Sequence, residues 1–221
     1  ELLLREDREL TAIEGVTQLP QLLVLVATRT GSHLNVADIS RTSGMPQATV
    51  RRYLALLRTL LLVEVVPAWS RNVDQRLLKS PKLYLTDPVL AAHVLGQDAT
   101  RLATDPTAVG PVLETFVITE LAKQLGWSRT RARLLHARTH AGREVDIVLE
   151  DRQGRCVAVE VKASASLTDR QLRGMRTFAE LAGERFHRGL VVYTGREVVP
   201  FGQGVYAVPV ESLWGWGGKA G

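Results

Sequence analysis

Three ionisable residues stand where ionisable side chains are rarely placed. Asp146 lies in Glu144-Val145-Asp146-Ile147-Val148-Leu149, while Glu160 and Lys162 lie in Val157-Ala158-Val159-Glu160-Val161-Lys162. A charge set among apolar residues is costly unless it has a partner or a task. Both runs read as short, mostly buried strands. The polar stretch Glu150-Asp151-Arg152-Gln153-Gly154-Arg155 between them reads as a turn, so the pair predicts a β-hairpin. Asp146 and Glu160 are 14 positions apart, room for one strand out and one back, which brings both carboxylates to one end of a sheet. Lys162 follows Glu160 by two and shares its face. Two carboxylates and an ammonium at one point suit a divalent cation and a phosphate. Mg²⁺ takes one or two carboxylates together with water and phosphate oxygens. A lysine beside them can position a water or offset charge developing on a phosphate. The plain alternative is a surface ion pair of Lys162 with Glu160 or Asp146.

The order Asp146, then Glu160-Val161-Lys162 on a hairpin, resembles the PD-(D/E)XK, or restriction-endonuclease-like, nuclease superfamily. The resemblance implies a further acid on a preceding helix, and Gly110-Pro111-Val112-Leu113-Glu114-Thr115-Phe116 supplies Glu114. It also implies roles. Asp146 and Glu160 would hold Mg²⁺ or Mn²⁺, Lys162 would position the attacking water, and Glu114 would be an additional acid or ligand.

The elements that must position these residues can be read in chain order. Leu2 to about Thr17 reads as the tail of a helix, and the chain, which starts at Glu1, reads as a fragment of a longer protein. Gln21–Thr30 predicts an apolar helix closed by Gly31. Asn35–Thr42 predicts a short helix with Asn35 as its cap, Ser43-Gly44-Met45-Pro46 a tight turn, and Gln47–Leu61 a second helix with Val50, Tyr53, Leu54 and Leu57 at helical spacing. Two helices joined by a glycine-containing turn is the helix-turn-helix signature. Leu62–Val66 and Lys82–Leu85 predict strands around a polar loop holding Arg71, Asn72, Asp74 and Arg76, so the unit resembles a winged helix with that loop as the wing. Residues 35–82 carry eight Lys or Arg against three acids, a net +5. Phosphate contacts of that unit with DNA are therefore expected from Arg41, Arg51, Arg52, Arg71 and Arg76. A solvated face used for packing is the plainer reading.

Asp87-Pro88 predicts a helix to about Leu95, and Gly96–Val109 a polar connector. Then come a helix over Glu114–Leu125, a strand over Arg133–Ala137, the hairpin, a helix over Asp169–Leu181, a buried strand over Gly189–Thr194 and a last edge strand over Gly204–Pro209. The expected fold class is α/β (α+β): a winged helix-turn-helix domain over 1–105, then a restriction-endonuclease-like mixed sheet flanked by helices over 106–221. His136 and His140, four apart, read as surface residues. Trp214 and Trp216 read as an anchor for the C-terminal tail.

The 221 residues are 45% hydrophobic and 23% charged, ordinary for a globular protein, with a net charge of +5 that permits a polyanionic partner. Cys156 is the single cysteine, which excludes an intrachain disulfide or a cysteine-built zinc site and fits a cytoplasmic setting. No run approaches a membrane span.

Taken whole, the chain resembles the C-terminal half of a prokaryotic family of AAA-type ATPases, in which a winged helix and a nuclease-like domain of unknown function follow the nucleotide-binding domain. The resembling stretches are Asn35–Leu57, Lys79–Asp87, Gly110–Leu125, Gly142–Leu149 and Val159–Ser164. No G-x-x-x-x-G-K-[ST] phosphate loop occurs, so no ATP site is expected in this chain and an upstream ATPase domain is the implied partner. The expected function is a metal-dependent phosphodiester hydrolase acting on DNA. The alternative is a catalytically inactive nuclease-fold module that binds nucleic acid or a protein for an ATPase.

Overall fold

The computed structural model describes residues 18–139 and 142–215. The expected first helix, His140, Trp216 and the Gly217–Gly221 tail lie outside the described residues.

Helix α1 (Leu19–Ala27) carries Pro20 near its start and buries Leu22 and Val26. Strand β1 (Ser32–His33) follows. Helix α2 (Val36–Ser43) begins where the Asn35 side chain accepts the Asp38 N–H at 3.0 Å, and ends at Gly44, whose φ of 73° is one that glycine adopts without strain. Helix α3 (Gln47–Thr59) buries Val50, Tyr53, Leu54 and Leu57 and turns Arg51, Arg52 and Arg58 outward, as the spacing predicts. Strands β2 (Val63–Val66) and β3 (Lys82–Leu85) pair antiparallel, and β1 adds on the other side of β3, giving the order β1-β3-β2.

The expected wing is not a plain loop. Helix α4 (Val73–Leu78) forms within it, started by the Asn72 side chain accepting the Asp74 N–H at 3.0 Å. Local polarity marks a turn but does not tell a loop from a short capped helix. The expected connector Gly96–Val109 also folds. Helix α5 (Pro88–Val94), capped by Asp87, is followed by α6 (Ala99–Thr104) and by the long α7 (Pro106–Trp127). Asp105 caps α7 with Pro106 at its start, so the helix begins well before Gly110 and runs through Pro111.

Strands β4 (Ala132–Arg138), β5 (Glu144–Asp151) and β6 (Cys156–Lys162) form an antiparallel meander. Helix α8 (Arg173–Ala182) follows a short 3₁₀ turn. Strands β7 (Phe186–Tyr193), β8 (Val199–Pro200) and β9 (Val205–Pro209) complete a six-stranded sheet in the order β4-β5-β6-β7-β9-β8. The β6-β7 and β7-β9 pairs are parallel, so the sheet is mixed. The expected edge strand β9 is interior, because β8 pairs along its outer side. Helix α9 (Ser212–Gly215) ends the described chain, and Trp214 packs its ring 5.3 Å from Phe116.

The sheet is covered on both sides. Val117 and Ile118 of α7 pack with Ile147, Val159, Val192 and Val208, while Met175 and Phe178 of α8 pack with Val148, Ala158 and Val191. Gly174 lets α8 approach β5: a Cβ there would lie 2.3 Å from the Glu144 carbonyl oxygen. The N-terminal unit has its own core around Leu22, Ile39, Val50, Leu57 and Leu85. It is also joined to the sheet. The backbone of Trp69 donates to the His136 carbonyl at 2.6 Å and that of His136 to the Pro67 carbonyl at 3.0 Å, so residues 67–69 cover the β4 edge. Tyr84 and Val66 enter the core under α7, and Trp69 the core under α8.

Candidate functional site

The hairpin forms as the spacing requires. Ile147 pairs with Val159 in the antiparallel register, so Asp146 and Glu160 are the next residues outward across the ladder. There the ladder stops. The Asp146 side chain takes the place of a backbone acceptor, with Oδ2 receiving the Val161 N–H at 2.9 Å. Lys162 donates to Glu160 Oε1 at 2.6 Å. An ion pair of Lys162 with Glu160 is thus present, but largely buried and not on the surface as the plain alternative had it, and it uses one oxygen of Glu160. The other, Oε2, is buried with no hydrogen-bond partner among the described residues, an arrangement that in most proteins a ligand or water would complete.

Glu114 arrives from α7, one turn after Pro111, and sits against Gly31, where a Cβ would come within 3.4 Å of its carboxylate. Two side chains from the N-terminal unit meet it. Lys82 and Tyr84 are two apart on β3 and so share a face. Lys82 Nζ lies 2.9 Å from Glu114 Oε1, and Tyr84 donates its hydroxyl to the same oxygen at 2.6 Å. Lys82 Nζ also lies 3.3 Å from Asp146 Oδ1 and 3.9 Å from Glu144 Oε2. Glu144 is further held by His33 Nε2 at 2.9 Å and Arg138 Nε at 3.3 Å. A signal for Lys82 was present in the sequence: an ammonium opening the apolar run Leu83-Tyr84-Leu85 poses the question that Asp146 poses in its own run.

Electrostatics follow from this crowding. Burial, then the Asp146 charge, pushes the Glu160 carboxyl up to about 8. The same two causes raise Glu114, despite Lys82 and Tyr84 beside it. Burial works against the charge of Lys82, but Asp146 and Glu114 outweigh it and hold the ammonium above its ordinary value. Lys162 is likewise raised by Glu160 against the effect of burial. Burial, then Glu114, raises the Tyr84 phenol and keeps it a donor. His136 is buried, not on the surface: its Nε2 donates to the Ser80 carbonyl at 3.2 Å, and burial, then His33 and Lys82, pushes it down to about 4.

The four sequence-selected residues Glu114, Asp146, Glu160 and Lys162 therefore occupy one neighbourhood, with Lys82 set between two of them. Among the described residues, no three His, Cys, Asp or Glu side chains stand together in a way that could hold a metal ion. The donor set nevertheless fits a hard divalent cation in kind, since Asp146 and Glu160 offer carboxylate oxygens and Glu160 Oε2 is buried without a partner among the described residues.

The arginines expected to meet DNA divide. Arg41, Arg51 and Arg52 are exposed on α2 and α3. Arg71 is exposed but donates to the Ala182 carbonyl at 3.3 Å, at the end of α8. Arg76 does not face solvent. It is buried in a two-pronged pair with Glu150, at 2.6 and 2.7 Å, and donates to the Ser70 carbonyl. Sequence charge counts Arg76 and Lys82 as a basic surface; both are spent inside the protein. A cleft of about 690 Å³ lies between the start of α3 and the end of β4, and Arg51, Lys79 and Arg138 are among its lining residues, with no Asp or Glu lining it among the described residues. No described helix is long and apolar enough to cross a membrane.

Residues 109–213 match a family described as a domain of unknown function (DUF4143), and residues 1–101 match another described as a domain of unknown function (DUF8612). Over 185 residues the chain is 31% identical to "Uncharacterized protein Rv2008c" of Mycobacterium tuberculosis and to "Uncharacterized protein Mb2031c" of Mycobacterium bovis. That similarity covers 83% of this chain and 40% of each relative, so the chain spans about two fifths of the proteins it resembles. The stretch that matches DUF4143, residues 109–213, contains Glu114, Asp146, Glu160 and Lys162, while Lys82 comes from the segment before it.

Proposed function

We propose that this chain is the C-terminal region of an AAA-type ATPase and joins a DNA-binding winged helix to a nuclease-like domain with a metal-dependent phosphodiesterase site. One observation carries the reading: Glu114, Asp146, Glu160 and Lys162, from a helix and two strands, meet at the open end of one ladder, where Glu160 Oε2 is buried without a partner among the described residues. Asp146 and Glu160 would hold the ion. When bound, a divalent cation supplies Lewis acidity toward a phosphoryl oxygen and lowers the pKa of water. Lys162 would orient a water beside Glu160 or face the charge developing on the phosphate. Glu114, tied to Tyr84 and Lys82, would set the field around Asp146. The test is incubation of supercoiled, linear and single-stranded DNA with Mg²⁺ or Mn²⁺. Cleavage by the wild type should be lost in Asp146→Ala and fall by roughly 10²-fold or more in Lys162→Ala. Equal cleavage by wild type and Asp146→Ala, or none by either even at metal concentrations that saturate binding, would sink the reading. The position of Lys82 favours a second reading, a non-cleaving module, since its ammonium neutralises two of the acids.

The N-terminal unit supports the DNA-binding half. Helices α2 and α3 are joined through Gly44, two strands of the three-stranded sheet follow them, and Arg51 lies both on the outer face of α3 and at the basic cleft. Arg51→Ala with Arg52→Ala should weaken binding to duplexes of any sequence. It should also flatten the plot of log affinity against log salt, by about 0.9 for each phosphate no longer neutralised. Fluorescence anisotropy at several salt concentrations measures both, and an unchanged slope and affinity would assign α3 to packing.

A further inference from the structure

Lys82 is 3% exposed, and its Nζ stands within hydrogen-bond reach of one oxygen of Glu114 and one of Asp146. The other charged groups near it have partners of their own: Glu144 at 3.9 Å is held by His33 and Arg138, and Lys162 is committed to Glu160. A divalent ion bound to Asp146 would sit about 2.1 Å from its ligand oxygen. That distance brings the ion close to an ammonium 3.3 Å from the same carboxylate, and like charges so close, with little water between them, repel strongly. The two cations therefore compete for one place. Nor does Lys82 lie on a loose end. Strand β3 is the central strand of the three-stranded sheet, so the ammonium leaves only by rotation of its own side chain or by movement of the whole N-terminal unit.

We propose that Lys82 is an intramolecular counter-ion which closes the acid site to divalent metal, so that the N-terminal unit governs loading of a site in the following domain. The proposal rests on the reading of Asp146 and Glu160 as a metal site, and it adds the control. A ligand that drew the N-terminal unit away, or a metal concentration high enough to displace the ammonium, opens the site. Until then the acids are neutralised from within.

The experiment is Mn²⁺ binding to the 221-residue chain, followed by the electron paramagnetic resonance signal of free Mn²⁺ and requiring no turnover. Lys82→Gln keeps an N–H donor for Glu114 but removes the charge, and should bind Mn²⁺ about tenfold tighter than the wild type, or more. Adding Asp146→Ala to Lys82→Gln should abolish the gain. Lys82→Met is a second variant, read by melting: it leaves Glu114 and Asp146 without their ammonium, and Mn²⁺ should raise its melting midpoint more than that of the wild type. Equal Mn²⁺ affinity in wild type and Lys82→Gln, with equal melting responses, would overturn the counter-ion role while leaving the metal site in place. No Mn²⁺ binding by any of the proteins would remove the metal site itself, and the proposal with it.

Discussion

Arg76→Ala is expected to lower the stability of the protein by about 3–5 kcal/mol, the cost of leaving one member of a buried ion pair alone. Glu150 is the reason. Its side chain is 2% exposed, and besides the paired guanidinium it accepts from Trp69 Nε1 at 3.2 Å and Arg133 at 3.1 Å. Burial alone would raise its carboxyl, but Arg76 and Arg133 outweigh that and hold it below the usual carboxylate range. Without Arg76, the charge keeps Trp69 and the largely exposed Arg133 but loses its closest partner. Adding Glu150→Gln to Arg76→Met should recover part of the loss, because a neutral amide no longer requires a cation and its carbonyl can still accept from Trp69. Urea unfolding of the wild type and both variants measures the differences. A loss under about 1 kcal/mol for Arg76→Ala would mean that the pair behaves as a solvent-exposed bridge. The pair joins the segment between β2 and β3 to β5, so the same variant should loosen the N-terminal unit from the sheet.

Glu160→Gln is expected to raise the melting midpoint in metal-free buffer near pH 8 and to change it little near pH 5. The Glu160 carboxyl is pushed from an ordinary 4.5 up to about 8 by burial and by Asp146. Between those values the folded protein keeps a proton that the unfolded chain gives up. The folded state then binds more protons, and stability falls as pH rises through that window. Below it the group contributes nothing. Above it the full cost of a buried carboxylate is felt, on the order of a few kcal/mol. Glutamine carries no charge to bury, and its carbonyl can still accept from Lys162. Several degrees of stabilisation near pH 8 correspond to a change of that order in a protein of this size. Melts of both proteins across pH 5 to 8 test it, and parallel pH profiles would show that Glu160 ionises as an ordinary carboxylate.

Local features follow from the chain alone. The two-residue period of Val157–Lys162 puts Glu160 and Lys162 on one face whatever surrounds them, and the Gly154 turn, with φ of 81°, sets the hairpin register that places Asp146 opposite Glu160. Asn35 and Asp87 announce the starts of α2 and α5 because a short side-chain acceptor satisfies N–H groups two or three residues ahead, wherever the helix later packs. Folding chose the partners. Lys82 is 32 positions from Glu114 and 64 from Asp146, and Arg76 is 74 from Glu150. No period or cap connects residues so far apart, so composition counted both as surface cations. The same holds for His136, whose burial depends on the segment 67–69 lying over the β4 edge, and for β9, which is interior because a two-residue strand, β8, pairs beside it. Local pattern can place a charge on a face of an element. Whether that face meets water, a carboxylate or a ligand is decided when distant elements pack, since burial sets the cost of the charge and packing supplies the partner that offsets it.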